Sequence, residues 1–253
     1  MSLEVFVDLN ADVGEGAGGA GDDEVLLDLV TSASVACGVH AGDPGTMRRT
    51  VEAAARRGVV VGAHPSYPDR AGFGRRPMDM PPAEVTEEVL AQVGALDTVA
   101  RACGTVVRFV KPHGALYLHM ADDARCARAV AEALRRAGDL VLLAPAGSGT
   151  VEVARAAGVR VATEAFADRA YLSDGRLAPR SLPGAVLTDP AEVARRALRL
   201  AVDHEVTTVE GTVISLTASS ICVHGDTPGA GEAARQVRTT LEGAGVTLLP
   251  FVS

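Results

Sequence analysis

The sequence predicts an α/β fold, a (β/α) barrel of about seven strands that covers residues 1–253 as a single domain. Short apolar runs alternate with helical segments seven times, and no Pro/Gly/Ser-rich linker interrupts them. A chain of 253 residues with 47% hydrophobic content suits one α/β barrel. Charged clusters follow six of the seven predicted strands. A closed ring of parallel strands accounts for this better than an open doubly wound sheet, whose ligand groups gather at a switch point.

The predicted strands are short, apolar and closely followed by Gly, Pro or a polar cluster. A buried parallel sheet covered by Ala-rich helices also fits a chain that is only 3% aromatic and has no Trp, because Val, Leu and Ala must then supply the core. The strands are predicted over residues 4–9, 34–38, 59–63, 106–111, 140–144, 159–163 and 220–223.

Helical periodicity fills most of the gaps between these strands. Asp43-Pro44 and Asp189-Pro190 have the residue types of an N-cap and the first helical position. Residues 172–188 and 207–215 fit the alternation poorly, and we expect excursions or a small hairpin there. The helices are predicted over residues 22–31, 44–57, 82–102, 122–137, 149–157, 190–204 and 229–244.

Charge and composition exclude several classes of function. The formal charge of −8 and the pI near 5.3 argue against nucleic acid or an anionic membrane as the main partner, since the long-range field repels both. Cys37, Cys103, Cys126 and Cys222 show no C-x-x-C spacing and are interpreted as reduced, buried thiols. No leader or membrane-spanning run is recognisable, so a cytoplasmic protein is expected.

Polar clusters begin where the apolar runs of six predicted strands end. Parallel strands of one sheet bring their carboxyl ends to one face, so we expect the clusters to meet at one site. They are DLNADVGE (8–15), CGVHAGDP (37–44), GAHPSYPDRAGFGRR (62–76), VKPHGALY (110–117), EAFADRAY (164–171) and CVHGD (222–226).

Asp12, His40, His64 and His113 lie just beyond four successive predicted strands. Each alone is typical of a hydrogen-bonded loop residue, but together they predict a site for general acid/base chemistry or for a divalent metal. The metal is left open, because the sequence has no H-x-x-x-H or other tight ligand spacing.

Cationic side chains accompany this group. Lys111 ends a predicted strand two residues before His113, and we expect its ammonium to emerge at the barrel mouth and stabilise an oxyanion, with a structural salt bridge as the alternative. Arg70, Arg75 and Arg76 flank a Gly-Phe-Gly turn. They are predicted either to clamp a carboxylate or phosphate or to form an exposed basic loop.

Nucleotide-binding and serine-nucleophile motifs find little support. Gly14-x-Gly16-x-x-Gly19 matches the dinucleotide fingerprint, but Glu15 and nearby aspartates would place negative charge where a pyrophosphate should bind, so a flexible loop is the favoured interpretation. No G-x-x-x-x-G-K-[ST] loop and no G-x-S-x-G elbow occurs in the sequence.

Six motifs in this order carry a resemblance to a known family: DLNADVGE, CGVHAGDP, AHPSYPDRAGFGRR, VKPHGALY, FADRAY and ICVHGDTPGA. With them the sequence resembles the LamB/YcsF family over nearly the whole chain. The resemblance implies a (β/α) barrel shaped like that of polysaccharide deacetylases. It also implies the role of the A subunit in a bacterial 5-oxoprolinase, which works with subunits B and C to open the lactam of 5-oxoproline to glutamate. ATP with Mg²⁺ is the implied cofactor, and a metal at the barrel mouth is possible.

Such a reaction needs an acid/base pair, cationic support for an oxyanion and an anion clamp. Two alternatives stay open: a metal-dependent, deacetylase-like hydrolase with Asp12, His40 and His64 as ligands, and a non-catalytic scaffold or binding subunit. The expected catalytic residues are Asp12, His40, His64, Lys111 and His113. The expected substrate- and phosphate-binding residues are Asn10, Glu15, Asp43, Arg70, Arg75, Arg76, Asp168, Arg169, His224 and Asp226.

Overall fold

The computed structural model describes residues 4–16, 20–224 and 229–253. The predicted strands all appear within these ranges, although the fourth is shorter than expected. The strands are β1 (Phe6–Val13), β2 (Ser32–Ala36), β3 (Val60–His64), β4 (Phe109–Val110), β5 (Val141–Pro145), β6 (Arg160–Phe166), β7 (Glu205–Thr207), β8 (Val213–Ser215), β9 (Ser220–Val223) and β10 (Thr247–Leu248).

The barrel closes because β1 pairs in parallel on both of its edges. Asn10 to Val13 pair with β2, and Asp8 to Ala11 pair with β9. The described strands of the closed ring run in the order β1-β2-β3-β4-β5-β6-β9, and all are parallel, while β10 adds to the start of β1. The predicted seven-stranded barrel is therefore confirmed. Gly19 of the dinucleotide-like motif lies outside the described residues.

Helices cover the outside of this ring. In the described ranges they are α1 (Ala20–Leu27), α2 (Pro44–Arg57), α3 (Pro82–Ala102), α4 (Gly114–Asp122), α5 (Ala124–Ala137), α6 (Thr150–Ala156), α7 (Pro190–Val202) and α8 (Ala230–Gly243). The Asp43 side chain accepts a hydrogen bond from the backbone of Thr46 at 2.8 Å, as an N-cap should. Among the described helices, none combines the length and apolarity needed to cross a bilayer.

One helix was not predicted. The helix expected over 122–137 is present as α5, but the chain also forms α4 directly before it, and the two are separated at Asp123. Asp123 has an extended backbone, and its carboxylate accepts from the backbone N–H of Arg125 at 2.6 Å. This cap starts a new helix. The helix α4 was missed because its apolar residues are not confined to one helical stripe.

The two segments that fitted the alternation poorly do leave the barrel pattern. Residues 172–188 contain no described helix or strand and are tied back by isolated bridges, Arg169 to Val186 and Tyr171 to Leu177. The strands β7 and β8 pair antiparallel, so the hairpin expected near 207–215 is present.

Alternate residues of β1 face opposite sides of the barrel wall. Leu9 and Ala11 belong to the apolar core between strands and helices. The intervening Asp8, Asn10 and Asp12 are buried and make side-chain contacts with other strands. Because side chains in a strand alternate with period two, the sequence D-L-N-A-D puts three polar groups into the lumen. The interior of the barrel is therefore partly polar.

Candidate functional site

The side chains predicted to share a site converge where β1 to β4 end. Asp12 lies near the end of β1, His64 is the last residue of β3, and His40 and His113 follow β2 and β4. All four residues are buried. The convergence follows from parallel pairing, because it places the carboxyl ends of neighbouring strands side by side.

Backbone carbonyls fix the rings of His64 and His113. Nδ1 of His64 lies 2.7 Å from the carbonyl oxygen of Lys111, and Nε2 of His113 lies 2.9 Å from that of Phe73. A carbonyl oxygen only accepts, so both of these nitrogens carry the proton and donate it. The opposite nitrogens, His64 Nε2 and His113 Nδ1, lie 3.0 Å apart. In neutral rings both therefore direct a lone pair into the same small space.

The Glu15 carboxylate lies against these histidines. Its Oε1 is 3.0 Å from His40 Nε2, 3.2 Å from His113 Nδ1 and 3.7 Å from His64 Nε2. The ring of His40 stacks on that of His113, with centroids 3.9 Å apart and planes 4° from parallel. Glu15, expected only among the binding residues, thus belongs to the histidine group, which we call the histidine cluster (Glu15, His40, His64 and His113).

A loop at residues 65–76 covers the histidine cluster. The ring of Phe73 packs edge-on against His40 and His113, with centroid distances of 5.5 and 5.3 Å. Gly74 has φ of +66°, and a Cβ there would lie 2.9 Å from Cδ2 of His113 and 3.0 Å from Cβ of His40. Both its backbone conformation and the close approach therefore require glycine.

Lys111 lies inside the barrel, which corrects the expectation that its ammonium emerges at the mouth. Its Nζ is 2.9 Å from Asp12 Oδ1, 2.9 Å from Glu164 Oε1 and 3.0 Å from Cys222 Sγ, and the side chain is 2% exposed. Strand alternation puts Lys111 on the lumen face together with Phe109. A buried ammonium must be paired, and the two carboxylates supply that pairing.

Burial and charge determine the protonation of this ion-pair group. Burial opposes ionisation of Asp12, but the neighbouring His64 and the ammonium of Lys111 outweigh it and hold the pKa of Asp12 well below its usual range. Burial also disfavours the charged form of Lys111, yet the neighbouring Asp12, Cys222 and Glu164 hold its pKa well above the ordinary value. Asp12 and Lys111 are therefore both ionised at neutral pH.

Two members of the histidine cluster are neutral. Burial lowers the pKa of His40 to about 3. Burial likewise lowers the pKa of His113 far below its usual range. At pH 7 these two rings are therefore neutral rather than cationic.

Three of the predicted binding residues lie in the lumen or at its rim. Asn10 donates from Nδ2 to Ser32 Oγ at 2.7 Å. The carboxylate of Asp168 accepts from the backbone N–H of His224 at 3.0 Å, and both of its oxygens lie 3.0 Å from His224 Nδ1. Burial opposes ionisation of Asp168, but His224 lowers the pKa of its carboxyl below the ordinary value. Asp226 lies outside the described residues.

The predicted arginines have partners within the chain. Arg70 donates to the carbonyls of Gly38 and Gly42 at 3.1 and 2.9 Å, which ties the loop over the cluster to the loop that carries His40. Arg169 is buried and donates to two backbone carbonyls at 2.7 and 3.3 Å. These contacts give Arg70 and Arg169 loop-holding roles that no spacing in the sequence indicated.

The other two predicted arginines lie in the loop at residues 65–76 that covers the histidine cluster. The guanidinium of Arg75 lies 4.9 Å from the centroid of the Phe73 ring. The Nε of Arg76 donates to Asp69 Oδ1 at 2.8 Å. Arg76 therefore has an ion-pair partner of its own, and a role in anion binding would require it to exchange that partner.

Sequence reasoning missed three residues that contact the ion-pair group. Glu164 contacts Lys111, the hydroxyl of Tyr117 donates to Glu164 Oε2 at 3.1 Å, and Cys222 contacts the ammonium. One signal was available for Glu164, because it is the charged residue within the run V-A-T-E-A-F of β6. A charge inside a strand of a closed barrel needs a buried partner.

The arrangement can hold a cation as well as move protons. The donor atoms of Glu15, His40, His64 and His113 all lie within 4.8 Å of one another. The sequence had suggested Asp12, His40 and His64 as metal ligands, whereas Asp12 is paired with Lys111 and the histidine cluster is the better set. Asp12 stays close, since its Oδ2 is 3.4 Å from His64 Nε2.

Comparison with known proteins places the chain among close relatives. A sequence model of the LamB/YcsF family matches residues 7–253. The chain is 53% identical over 248 residues to the 5-oxoprolinase A subunit numbered 3 in Pseudomonas syringae pv. tomato, covering 97% of both chains. Its structure is similar to that of the lactam utilization protein from Thermus thermophilus, with a TM-score of 0.91 and 47% identity over 98% of this chain and 100% of that one.

A more distant similarity concerns the fold alone. The polysaccharide deacetylase Bc1974 from Bacillus cereus matches with a TM-score of 0.50 and 13% identity, over 98% of this chain and 92% of that one. The expected deacetylase-like shape of the barrel is therefore confirmed.

Proposed function

The chain belongs to the LamB/YcsF family, and on that premise we propose that it is the A subunit of an ATP-dependent 5-oxoprolinase. The observation that carries this proposal is its 53% identity, over 97% of the chain, to a protein named as an A subunit of 5-oxoprolinase. In the proposed reaction the lactam of 5-oxo-L-proline is opened to L-glutamate with hydrolysis of ATP. That relative's designation as one subunit supports a multi-subunit enzyme, and we propose subunits B and C as the partners.

The chemistry of the substrate explains the use of ATP. A five-membered lactam is a poor electrophile because the ring nitrogen donates electrons to the carbonyl. Transfer of the γ-phosphoryl group of ATP to the amide oxygen would make the carbonyl carbon a better electrophile. Water then adds to that carbon, the C–N bond of the ring breaks, and a second water hydrolyses the resulting acyl phosphate to glutamate and phosphate. The water must lose a proton and the ring nitrogen must gain one, so the site needs a base and an acid.

The histidine cluster supports this proton transfer. The neutral imidazoles of His40 and His113 present unprotonated nitrogens, and hydrogen bonds to backbone carbonyls hold the rings of His64 and His113 in place. The contact between Glu15 and His40 at 3.0 Å gives the same space a carboxylate. We assign His64 and His113 to proton transfer, with His40 and Glu15 as their neighbours in the reaction.

Lys111 and Asp12 support the reaction electrostatically in this proposal. The ammonium lies 2.9 Å from Asp12 Oδ1, and the other oxygen of that carboxylate lies 3.4 Å from His64 Nε2. A positive charge at Lys111 therefore acts on His64 through Asp12. Preorganised charges of this kind are effective in a buried site because water does not screen them.

We propose that ATP, with Mg²⁺, binds in the assembled enzyme. The sequence has no phosphate-binding loop of the G-x-x-x-x-G-K-[ST] type, which favours a nucleotide site at a partner or at an interface. We propose that this chain contacts phosphate through Arg70 and Arg75 in the loop at residues 65–76. A reaction that consumes ATP fits the cytoplasm, which is the compartment we propose.

Reconstitution tests the proposal. The chain is purified alone and after co-expression with subunits B and C, and 5-oxoproline-dependent formation of ADP and glutamate is measured. We expect turnover by the complex and negligible turnover by the chain alone. A complex that assembles yet shows no 5-oxoproline-dependent ATP hydrolysis would disprove the proposed reaction.

A variant in the same complex tests the role of the cluster. We expect His64→Asn to lower turnover by about 10²- to 10⁴-fold, the usual contribution of a general acid or base. His204→Asn is the matched control, since His204 is exposed and its φ of 57° is one that asparagine tolerates. Normal turnover by an assembled His64→Asn complex would favour a scaffold role for this chain.

A further inference from the structure

Three electron-pair donors face one another in the histidine cluster. Each of the rings of His64 and His113 donates one N–H to a carbonyl oxygen, so in neutral rings the facing nitrogens, 3.0 Å apart, present lone pairs. Oε1 of Glu15 lies 3.2 Å from His113 Nδ1 and 3.7 Å from His64 Nε2. A cation placed among these three atoms could accept an electron pair from each of them.

A single added proton would satisfy only part of this arrangement. It can bridge only one pair of these atoms, for example His64 Nε2 and His113 Nδ1. A divalent ion at the centre would bond to every donor atom at once. The triangle of atoms therefore fits a metal ion better than a proton.

We propose that Glu15, His64 and His113 bind one divalent transition-metal ion, for which zinc is the best match. Tetrahedral zinc with bonds of about 2.0–2.2 Å has ligand–ligand separations of about 3.3–3.6 Å. The separations of 3.0, 3.2 and 3.7 Å between the three donor atoms lie around that range. Two imidazoles and one carboxylate are also a ligand set that zinc accepts, with the fourth position left open.

The surroundings have the features that hold metal ligands in place. Each of the two ligating imidazoles donates its other N–H to a backbone carbonyl, which fixes the tautomer and the ring orientation. His40 Nε2, 3.0 Å from Glu15 Oε1, orients the carboxylate. Phe73 and Gly74 cover the rings and limit access of water. This inference does not depend on the proposed 5-oxoprolinase reaction, but it uses the same nitrogens of His64 and His113 that the proton-transfer assignment uses, so a bound ion would leave proton transfer to other groups of the site.

Metal uptake by the isolated chain tests the inference without any assay of turnover. The untagged chain is stripped with a chelator, incubated with Zn²⁺ in the absence of ATP, passed through a desalting column and analysed for bound metal by mass spectrometry. We expect about one equivalent of zinc, and a rise of about 5–10 °C in the unfolding midpoint when free zinc is about one hundred times Kd. The visible spectrum of the Co²⁺-substituted chain should be that of a tetrahedral site.

Variants place the ion at the cluster. Glu15→Gln keeps the shape of the side chain but removes the anionic ligand. We expect it to weaken zinc binding by more than about 10-fold, because loss of a ligand should cost more affinity than loss of a hydrogen bond that only orients a ligand. Glu52→Gln, in an exposed ion pair with Arg48, is the matched control and should bind as the wild type does. His113→Asn should abolish the tetrahedral Co²⁺ spectrum.

Two results would overturn the inference. The wild-type chain could take up no zinc after chelator treatment, which decides the matter whatever the variants do. Alternatively, Glu15→Gln could bind zinc with unchanged stoichiometry and affinity, which would place the ion elsewhere. If His113→Asn does not fold, wild-type uptake and Glu15→Gln still decide. Zinc uptake without 5-oxoproline-dependent turnover of the complex would uphold this inference and contradict only the proposed reaction.

Discussion

At the scale of single residues, Lys111 shows how one cation organises a buried polar centre. Its ammonium lies 2.9 Å from oxygens of both Asp12 and Glu164. Neither carboxylate has appreciable contact with water, so each depends on this charge for its ionised form. A buried ion pair adds little net stability over an apolar filling, but breaking one leaves an uncompensated charge.

Lys111→Met should therefore destabilise the fold strongly. We expect the free energy of unfolding to fall by about 3–5 kcal/mol, because the variant leaves Asp12 and Glu164 buried without a cation. Chemical denaturation followed by circular dichroism measures it. Arg160→Met removes one side of an exposed pair with Asp139 and should change the stability by less than about 1 kcal/mol. A loss below that level in Lys111→Met would contradict the structural role of the cation.

At the scale of elements, the loop of residues 65–76 matters most because it covers the histidine cluster. The carbonyl of Gly74 accepts from the backbone N–H of Ala115 at 2.9 Å, which joins the loop to the start of α4. A Cβ on Gly114 would lie 2.5 Å from that carbonyl oxygen. Loop and helix are thus fitted to one another through backbone groups, and His113 is held between them.

Gly74→Ala tests this fit. A positive φ costs an alanine about 1–2 kcal/mol. Gly175→Ala is the control that isolates this conformational cost, because Gly175 has φ of +85° and nothing lies within 4 Å of a Cβ placed there. We expect Gly74→Ala to lose more stability than the control, because its methyl group also contacts His113 and His40. Thermal unfolding of the two variants compares the losses. Equal losses would mean that the loop moves away without resistance.

At the scale of the whole molecule, the barrel is closed by a seam between β1 and β9. Asp8 lies in this seam and is fully buried. Its Oδ2 accepts from Ser220 Oγ of β9 at 2.6 Å and from Ser32 Oγ of β2 at 2.9 Å, and its Oδ1 accepts from Thr31 Oγ1 at 2.6 Å. One carboxylate therefore links the first strand to both of its neighbours.

The pH dependence of stability should reveal this carboxylate. Burial raises the pKa of Asp8 from 3.8 to about 6, despite the hydrogen bonds from Ser220, Thr31 and Ser32. Between those values the folded chain binds the proton more tightly than the unfolded chain, so this group favours folding at low pH, and the contribution is lost as pH rises through 6. The change is about 2 kcal/mol between pH 4 and pH 7.

Asp8→Asn cannot titrate and should lack this contribution. The wild type should therefore lose stability relative to the variant as pH rises from 4 to 7, measured by urea unfolding at each pH. Comparison with the variant cancels the opposite contribution of the buried histidines. The exposed Asp139→Asn should run parallel to the wild type. A constant difference between wild type and Asp8→Asn across this range would show that Asp8 titrates normally.

Local patterns in the sequence determined the elements and the face of the barrel on which the site lies. The helices at 44–57 and 82–102 have their predicted bounds, because Pro at the first helical turn and apolar periodicity act over a few residues. The strand-end positions of Asp12, His40, His64 and His113 followed from the same short-range signals, since parallel strands place their carboxyl ends together.

Only the tertiary structure decided which of these groups touch. Lys111 and Glu164 are 53 positions apart in the sequence, and nothing local to either residue indicates the other. Their contact depends on closure of the ring and on its radius, which set the distance across the lumen. Glu15 reaches the histidines for the same reason. Side-chain partners across a barrel are fixed by the geometry of all its strands together, whereas a strand or a cap depends only on its own neighbours.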